Sequence, residues 1–412
     1  MVGSLAGLKV LDLGHAVAGP LCAALLADHG ADVLKVESTD GDHARAVGPF
    51  PGDPSATQFG AVFQFANRNK RALALDLKSS QGIEVLLRLV DQSDVLIENF
   101  RAGVMDRLGL SYERLAERNP RLVYTSIRGF GDERNGATAY TQRPAVDIVG
   151  QAMGGLMSIT GPDAESPTQA GAVPGDILPG LYAAFATVSA VLEAQRSGQG
   201  QYVDVGMIDA VLAMNEPVVT SYSITGVVPR PAGSQLTNIV PFGRVRALDG
   251  WAVLAVPPGR NWAVFCRLIG RPDLAVHERY ATDQARVKHG AEVYALVEEF
   301  TGRHTLTELQ ELLGESIPFS PVYDAQRIAS EPYFRQRDML VQVDHPGTDR
   351  KVTLAGVPAK FSRTPGAIRH GAPRLGEHSV QTLQSLGYSA SEIAQMLDSG
   401  TVLQDPPTSK TK

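Results

Sequence analysis

Cysteine is nearly absent: the 412 residues hold only Cys22 and Cys266. Each lies in an apolar helical context, GPLCAALLA and WAVFCRLIG. Two isolated thiols give neither a disulfide scaffold nor a metal-ligand spacing, so buried free thiols in a reducing, cytoplasmic setting are expected. An excess of positive charge is also missing. A formal net charge of −6 carries no nucleic-acid signature, although local basic clusters would still hold a small anion. The start, MVGSLAGLKVLDLG, lacks the basic head and apolar run of a signal peptide. The stretch from Ile177 to Leu192 has no charge, but it is short for a bilayer and contains Pro179 and Gly180. It reads as a buried helix, and no membrane partner is expected. Several catalytic motifs are missing as well. The loop after the first strand reads GHAVAGP in place of G-x-G-x-x-G. No Walker lysine, H-E-x-x-H, C-x-x-C or G-x-S-x-G occurs. A dinucleotide site, a zinc centre and a serine-hydrolase elbow therefore have no support, and no metal is expected.

What is present is alternation. LKVLDLG, ADVLKVES, RALALDL, SDVLIENF and RLVYTSIRGFG read as strands, and GPLCAALLADHG, SSQGIEVLLRLVDQ and SYERLAERNP as the helices between them. This order predicts an α/β domain with a Rossmann-like, doubly wound parallel sheet, whose ligands bind beyond the carboxyl ends of the strands. After about Ser221 the pattern becomes irregular. VVPRPAGSQLTNIVPFG reads as a connector, and RVRALDGWAVLAVP as a hairpin turning at Asp249-Gly250. Helices then run to about Leu313, as in a smaller α+β domain. Two short helices follow in the tail, and the final DPPTSKTK is expected to be disordered.

Candidate site residues lie at the strand ends. His15 follows the first strand, either as a structural hydrogen-bonder or as a ligand contact. Arg68, Lys70, Arg71 and Lys78 surround the strand RALALDL, either as a solvated basic edge or as a phosphate site. Asn99, Phe100 and Arg107 at the end of DVLIENF would together hold a purine and its phosphates.

Asp176 is a lone carboxylate between Pro174-Gly175 and the long uncharged stretch. Two readings stand side by side. Asp is a preferred helix N-cap, with Gly198 marking the helix end. Alternatively Asp176 is a reactive carboxylate, kept anionic by the helix terminus.

Long ordered matches then appear: LAGLKVLDLGHAVAGP, GADVLKVES, NRNKRALALDLK, MDRLGLSYERLAERNPRLVYTSIRGFG, VDIVGQAMGGLMSITG, VPGDILPGLYAAFATVSAVLEAQRSGQGQYVDV and PRLGEHS. Through them nearly the whole chain resembles the family III CoA-transferases, a group that includes formyl-CoA transferase, carnitine-type CoA-transferases and α-methylacyl-CoA racemase. The resemblance implies Asp176 as catalytic nucleophile, with CoA contacts at His15, Ala16, Val17, Ala18, Leu75, Lys78, Asn99, Phe100, Val104 and Arg107. Arg71 is counted with these as a CoA-binding candidate. Coenzyme A and its thioesters would be substrates, with no tightly bound cofactor. An Asp anion would attack the donor thioester and pass through an anhydride and an aspartyl-CoA thioester, with helix-terminal N–H groups on the oxyanions.

The departures are informative. Val17 stands where formyl-CoA transferases carry glutamine, and VPPGRNWAV lacks their glycine run. Val146 stands where the racemases carry a histidine before the aspartate, which removes an acid/base partner. Asp147 remains, with a supporting role. The alternatives are a 2-methylacyl-CoA racemase and a non-catalytic acyl-CoA-binding protein. NIVPFGRVRALDGWAVLAVPPGRN resembles members that use C4–C5 dicarboxylates, with Arg244 or Arg260 on the distal carboxylate. The resemblance further implies a large domain of residues 1–200 completed by 335–405, a small domain of 225–330, and an interlocked homodimer.

Overall fold

The computed structural model describes residues 3–50, 59–346 and 348–405. Apart from Asp405, the tail segment DPPTSKTK lies outside the described residues. The chain divides into two units, one of Met1–Leu156, Ala170–Val219 and Tyr333–Lys412, the other of Met157–Gln169 and Thr220–Pro332. The short excursion 157–169 thus belongs with the second unit although the first encloses it in sequence.

In chain order the first unit begins with β1 (Lys9–Asp12), α1 (Ala18–Asp28), β2 (Asp32–Glu37), α2 (Ala61–Asn67), β3 (Arg71–Leu75), α3 (Ser80–Val90) and β4 (Val95–Glu98). It continues through α4 (Val104–Arg107), α5 (Tyr112–Arg118), β5 (Val123–Arg128), α6 (Asp147–Met153), α7 (Pro174–Ser197), β6 (Tyr202–Gly206) and α8 (Met207–Met214). Helix α9 (Glu216–Thr225) leads into the second unit. There β7 (Phe242–Arg246), β8 (Trp251–Ala255), α10 (Asn261–Leu268), α11 (Asp283–Lys288), α12 (Gly290–Thr301), α13 (Leu306–Leu313), β9 (Phe319–Pro321) and α14 (Ala325–Ser330) follow. After α15 (Pro332–Gln336) come the hairpin β10 (Leu340–His345) and β11 (Thr348–Ala355), then α16 (Ser379–Ser385), α17 (Ala390–Asp398) and β12 (Val402–Leu403).

The main sheet runs β12-β3-β2-β1-β4-β5-β6, parallel throughout except for β12. Strands buried on both faces need apolar residues on both, and these strands supply them in alternation. Leu11, Leu34, Leu73, Leu96 and Tyr124 face one core with α3, α5, α16 and α17. Val10, Val33, Val95, Ile97 and Val123 face another with α1 and α7. The predicted mixed α/β class with a large parallel sheet is borne out. The chain winds outward from β1 to β3 and then from β4 to β6, so the switch point lies between β1 and β4, which is where doubly wound sheets have their ligand crevice.

The second unit has its own core, built from Val245, Leu254, Phe265, Val293, Val297 and Leu309 among others. Its antiparallel sheet runs β7-β8-β9, and the hairpin turns at Asp249-Gly250 as the sequence indicates. Both cysteines are free and buried.

Helix α7 differs from its expectation. It passes through Pro179 and Gly180 without a break and spans 24 residues, long and apolar enough in composition to cross a membrane. In this fold it packs against α1, α8, β5 and β6.

Candidate active site

The loops after β1 and β4 meet at the switch point. The Asn99 side chain brackets His15: its Oδ1 accepts the His15 backbone N–H at 2.7 Å, and its Nδ2 donates to the His15 carbonyl at 2.9 Å. The expected ligand contact at Asn99 therefore has a prior task, holding the loop. The His15 and Phe100 rings, one on each of these loops, lie 5.1 Å apart. Burial, then the Lys35 ammonium, push the His15 pKa down, so the imidazole is neutral at physiological pH.

Below the loop lies a buried charge network that sequence reading missed. Asp12 Oδ1 accepts the Gly14 N–H at 2.8 Å, Lys35 Nζ donates to the Gly14 carbonyl at 2.6 Å, and Asp42 Oδ1 accepts the Ala16 N–H at 3.1 Å. Lys70 Nζ reaches Asp12 Oδ2 at 2.6 Å, and Lys35 lies 3.2 Å from Asp42 Oδ2. Ala16 adopts a left-handed backbone, φ 58°, which costs energy for a residue with a Cβ and persists because the surroundings impose it. One signal was legible: a lysine inside the buried strand DVLKVE requires a carboxylate partner. His15, Asp42 and His43 also place metal-type ligands together. Asp42 Oδ1 already accepts the Ala16 and Ala44 N–H groups and Oδ2 faces the Lys35 ammonium, so its charge is balanced within the protein.

The basic cluster divides. Lys70 is fully buried against Asp12 and Arg68 pairs with Asp28. Arg71 sits at the amino end of β3, opposite the crevice, paired with Asp32 at 2.9 Å. The expectation that these three face a phosphate is corrected: they are structural cations. Lys78 and Arg107 differ. Both are exposed, and neither has a carboxylate partner among the described residues. Leu75 lies in the core, so only its backbone is open to a ligand. Val17 and Ala18 are buried where α1 begins, and Val104 opens α4 after the left-handed Gly103.

The start of α7 corrects the capping reading. The helix begins at Pro174, a favoured first position, after Val173 in a left-handed conformation of φ 45°. For a β-branched residue this is a strained backbone, of the kind that clusters at functional sites. Asp176 is the third helical residue and caps nothing. The cap comes from α6: Asp147 Oδ1 accepts the Gly175 N–H at 2.8 Å. Asp176 and Ile177 both donate to the Val173 carbonyl, so the first-turn N–H groups are taken, contrary to their expected role as oxyanion donors. Gly175 is needed for a different reason than substrate approach. A Cβ there would come 2.2 Å from the Asp147 carbonyl oxygen, so its absence lets α6 and α7 touch.

Asp147 Oδ2 takes a bond from Gln151 Nε2 at 2.8 Å. Gln151 is fully buried, and it too was missed, although positions 147 and 151 share one helix face. The half-buried Asp176 carboxylate has no hydrogen-bond or ion-pair partner among the described residues. Burial and then the Asp147 charge push its pKa up to about 6. Its environment thus destabilises the anion, whereas the sequence pointed to a stabilised one. At neutral pH the anion still predominates, unscreened and basic, which suits a nucleophile. Four residues on, Gly180 packs on the first turn of α1, where a Cβ would lie 2.9 Å from the Ala18 carbonyl oxygen. This contact joins α7, one turn after Asp176, to the start of α1.

A Rossmann-order sheet with a strained, carboxylate-bearing helix start beside its switch-point crevice belongs, by comparison with known proteins, to an enzyme: the chain is a CoA-transferase. More particularly it belongs to CoA-transferase family III, whose model matches residues 5–379. It is 39% identical over 386 residues to the succinyl-CoA:mesaconate CoA-transferase of Haloarcula marismortui, covering 94% of this chain and 97% of that protein. It is 34% identical over 391 residues to the succinate–glutarate CoA-transferase of Agrobacterium fabrum, covering 93% of this chain and 95% of that one. A CAIB/BAIF family protein from Brucella suis has a similar crystal structure, with a TM-score of 0.84 at 34% identity, covering 94% of this chain and 100% of that one.

Proposed function

We propose that the enzyme moves CoA from a dicarboxyl-CoA donor, such as succinyl-CoA, to a free C4–C5 dicarboxylate, with Asp176 as nucleophile. The observation that carries this reading is the partnerless, half-buried Asp176 carboxylate with its raised pKa. The names of the relatives, which pair succinyl-CoA or succinate with mesaconate or glutarate, support the substrate class. An Asp176 oxygen attacks the thioester carbonyl, the C–S bond breaks, and a mixed anhydride and the CoA thiolate result. The thiolate attacks the Asp176 acyl carbon and releases the donor acid, leaving an aspartyl-CoA thioester. The acceptor carboxylate attacks that thioester, expels the thiolate and forms a second anhydride. The thiolate then takes the acceptor acyl group and frees Asp176. CoA would lie in the crevice, with His15 to Ala18 and Phe100 along it and Lys78 and Arg107 on its phosphates. In the second unit, Arg244 lies 4.2 Å from the Trp251 ring and Arg246 5.0 Å from it. Arg244 and Arg260, the two candidates for a distal carboxylate, lack carboxylate partners among the described residues. A screen of acyl-CoA donors against carboxylates, read by mass spectrometry, tests the substrate class. Equal use of monocarboxylates would overturn it. Hydroxylamine added with the donor should derivatise Asp176; an adduct elsewhere overturns the nucleophile.

The active species is an interlocked homodimer in this reading, with a large domain of residues 1–156, 170–219 and 333–405 and a small domain of 157–169 and 220–332, in place of the expected 1–200 with 335–405 and 225–330. Leu181, Phe185 and Leu192 are exposed along one face of α7, Phe185 to 75%, and a second copy would cover such an apolar stripe. Light scattering at micromolar concentration tests this, and a monomer overturns it.

A further inference from the structure

The geometry points to Gln151 as a positioning residue for CoA transfer: from α6 it fixes Asp147 as the cap of α7, and so fixes the turn that carries Asp176. The inference rests on Asp176 being the nucleophile.

Three contacts use up the Gln151 carboxamide. Nε2 donates to Asp147 Oδ2 at 2.8 Å and to the Ala170 carbonyl at 3.3 Å, and Oε1 accepts the Ala170 N–H at 2.9 Å. The side chain is fully buried, so no water takes over a bond that is lost. Asp147 is held at both oxygens, by Gln151 and by Gly175. A carboxylate held at both ends cannot rotate, and the contact between the Gly175 backbone and that of Asp147 leaves α7 no room to shift alone. An unbroken chain of contacts therefore runs from Ala170, where the polypeptide returns from its excursion, through Gln151 and Asp147 to the residue before the nucleophile.

A merely structural role would end at Ala170. Gln151 satisfies two backbone groups there, and losing them would lower stability without altering the chemistry of Asp176. Electrostatics separates the two roles. The ionisable groups on elements packed against α7 are Asp147 on α6, Cys22 and Asp28 on α1, Asp209 on α8, Tyr124 and Arg128 on β5, and Tyr202 and Asp204 on β6. Among the described residues, Asp147 is the charge that raises the Asp176 pKa, after burial. Whatever moves or neutralises Asp147 therefore changes the pH at which Asp176 ionises.

The test compares Gln151→Met with Gln151→Glu in the full-length enzyme. Met keeps the volume and loses every hydrogen bond. Glu keeps an acceptor for the Ala170 N–H but presents a second carboxylate to Asp147. For Gln151→Met, kcat should fall by about 10²-fold, the size of effect that a 1 Å misplacement produces. KM for the acyl-CoA should stay within about twofold, because the crevice loop is untouched. The acid limb of kcat should move to lower pH in Gln151→Met and to higher pH in Gln151→Glu. In an Asp147→Asn background, Gln151→Met should cost little more, since both act through one carboxylate. Acid limbs unchanged in both variants, or additive losses in the double variant, overturn the role. Hydroxylamine trapping in the wild type is read separately: an adduct at Asp176 with unmoved Gln151 variants sinks this inference alone, and an adduct elsewhere sinks the nucleophile.

Discussion

The Asn99 amide exchanges two hydrogen bonds with the backbone of His15, N–H to Oδ1 at 2.7 Å and Nδ2 to the carbonyl at 2.9 Å. It thereby joins the loops after β1 and β4 across the switch point. Asn99→Ala should release the loop that lines the crevice. KM for acyl-CoA should rise about tenfold with kcat little changed, and stability should fall by about 1 kcal/mol for each bond lost. Initial rates and urea melts check this. An unchanged KM would show that the loop holds its shape without Asn99.

Lys70 carries the larger structural burden. Its ammonium meets Asp12 Oδ2, the carbonyls of Pro20 and Ala66, and Asn67 Oδ1, at 2.6 to 2.9 Å, and both ions of the pair are fully buried. Lys70→Met leaves the Asp12 charge unpaired in the core, at an expected cost of about 3–5 kcal/mol. Chemical denaturation measures it. The double variant Lys70→Met/Asp12→Leu should recover much of that loss. If the single variant is as stable as the wild type, the pair contributes nothing.

The sequence was most legible where periodicity carries the information. β1 to β5 follow from apolar runs between helices, and the hairpin from Asp249-Gly250. The site was legible where a residue follows a strand, as His15, Asn99 and Phe100 do. It failed where the partner of a side chain is distant in sequence. Nothing near Arg71 indicates that Asp32 neutralises it, and nothing near Gly175 that Asp147 caps its helix. Asp176 illustrates the same limit. Its place beside Pro174 reads as a cap, but caps are defined by backbone geometry, and the helix starts two residues earlier. Its pKa depends on burial and on a second carboxylate 29 residues away, neither of which a local window contains.

Asp147→Asn tests that second carboxylate directly. The amide keeps an oxygen for the Gly175 N–H but removes the charge that helps hold the Asp176 pKa near 6. The acid limb of kcat/KM should therefore lie at lower pH than in the wild type, where the Asp176 pKa of about 6 is expected to set it. A limb that stays in place would mean that burial alone sets the ionisation of Asp176.

Stability should depend on pH through Asp176 in a way that separates a nucleophile from a cap. If Asp176 capped α7, its replacement would cost about 1 kcal/mol. The cap is Asp147, so Asp176→Asn removes instead a carboxylate whose folded pKa is raised to about 6 from the ordinary 3.8. Below the ordinary value the carboxyl is protonated in both folded and unfolded chains and contributes no difference. Between the two values the folded state binds the extra proton, so wild-type stability falls as pH rises, and above the folded value the loss is complete. Asp176→Asn escapes this loss. The variant should match the wild type in Tm near pH 4, gain on it steadily to about pH 6, and keep a constant advantage above that while lacking transferase activity. Thermal melts across that range measure it. A variant less stable than the wild type at pH 7.5 would restore Asp176 as a structural anchor of the helix and remove the physical basis for its reactivity.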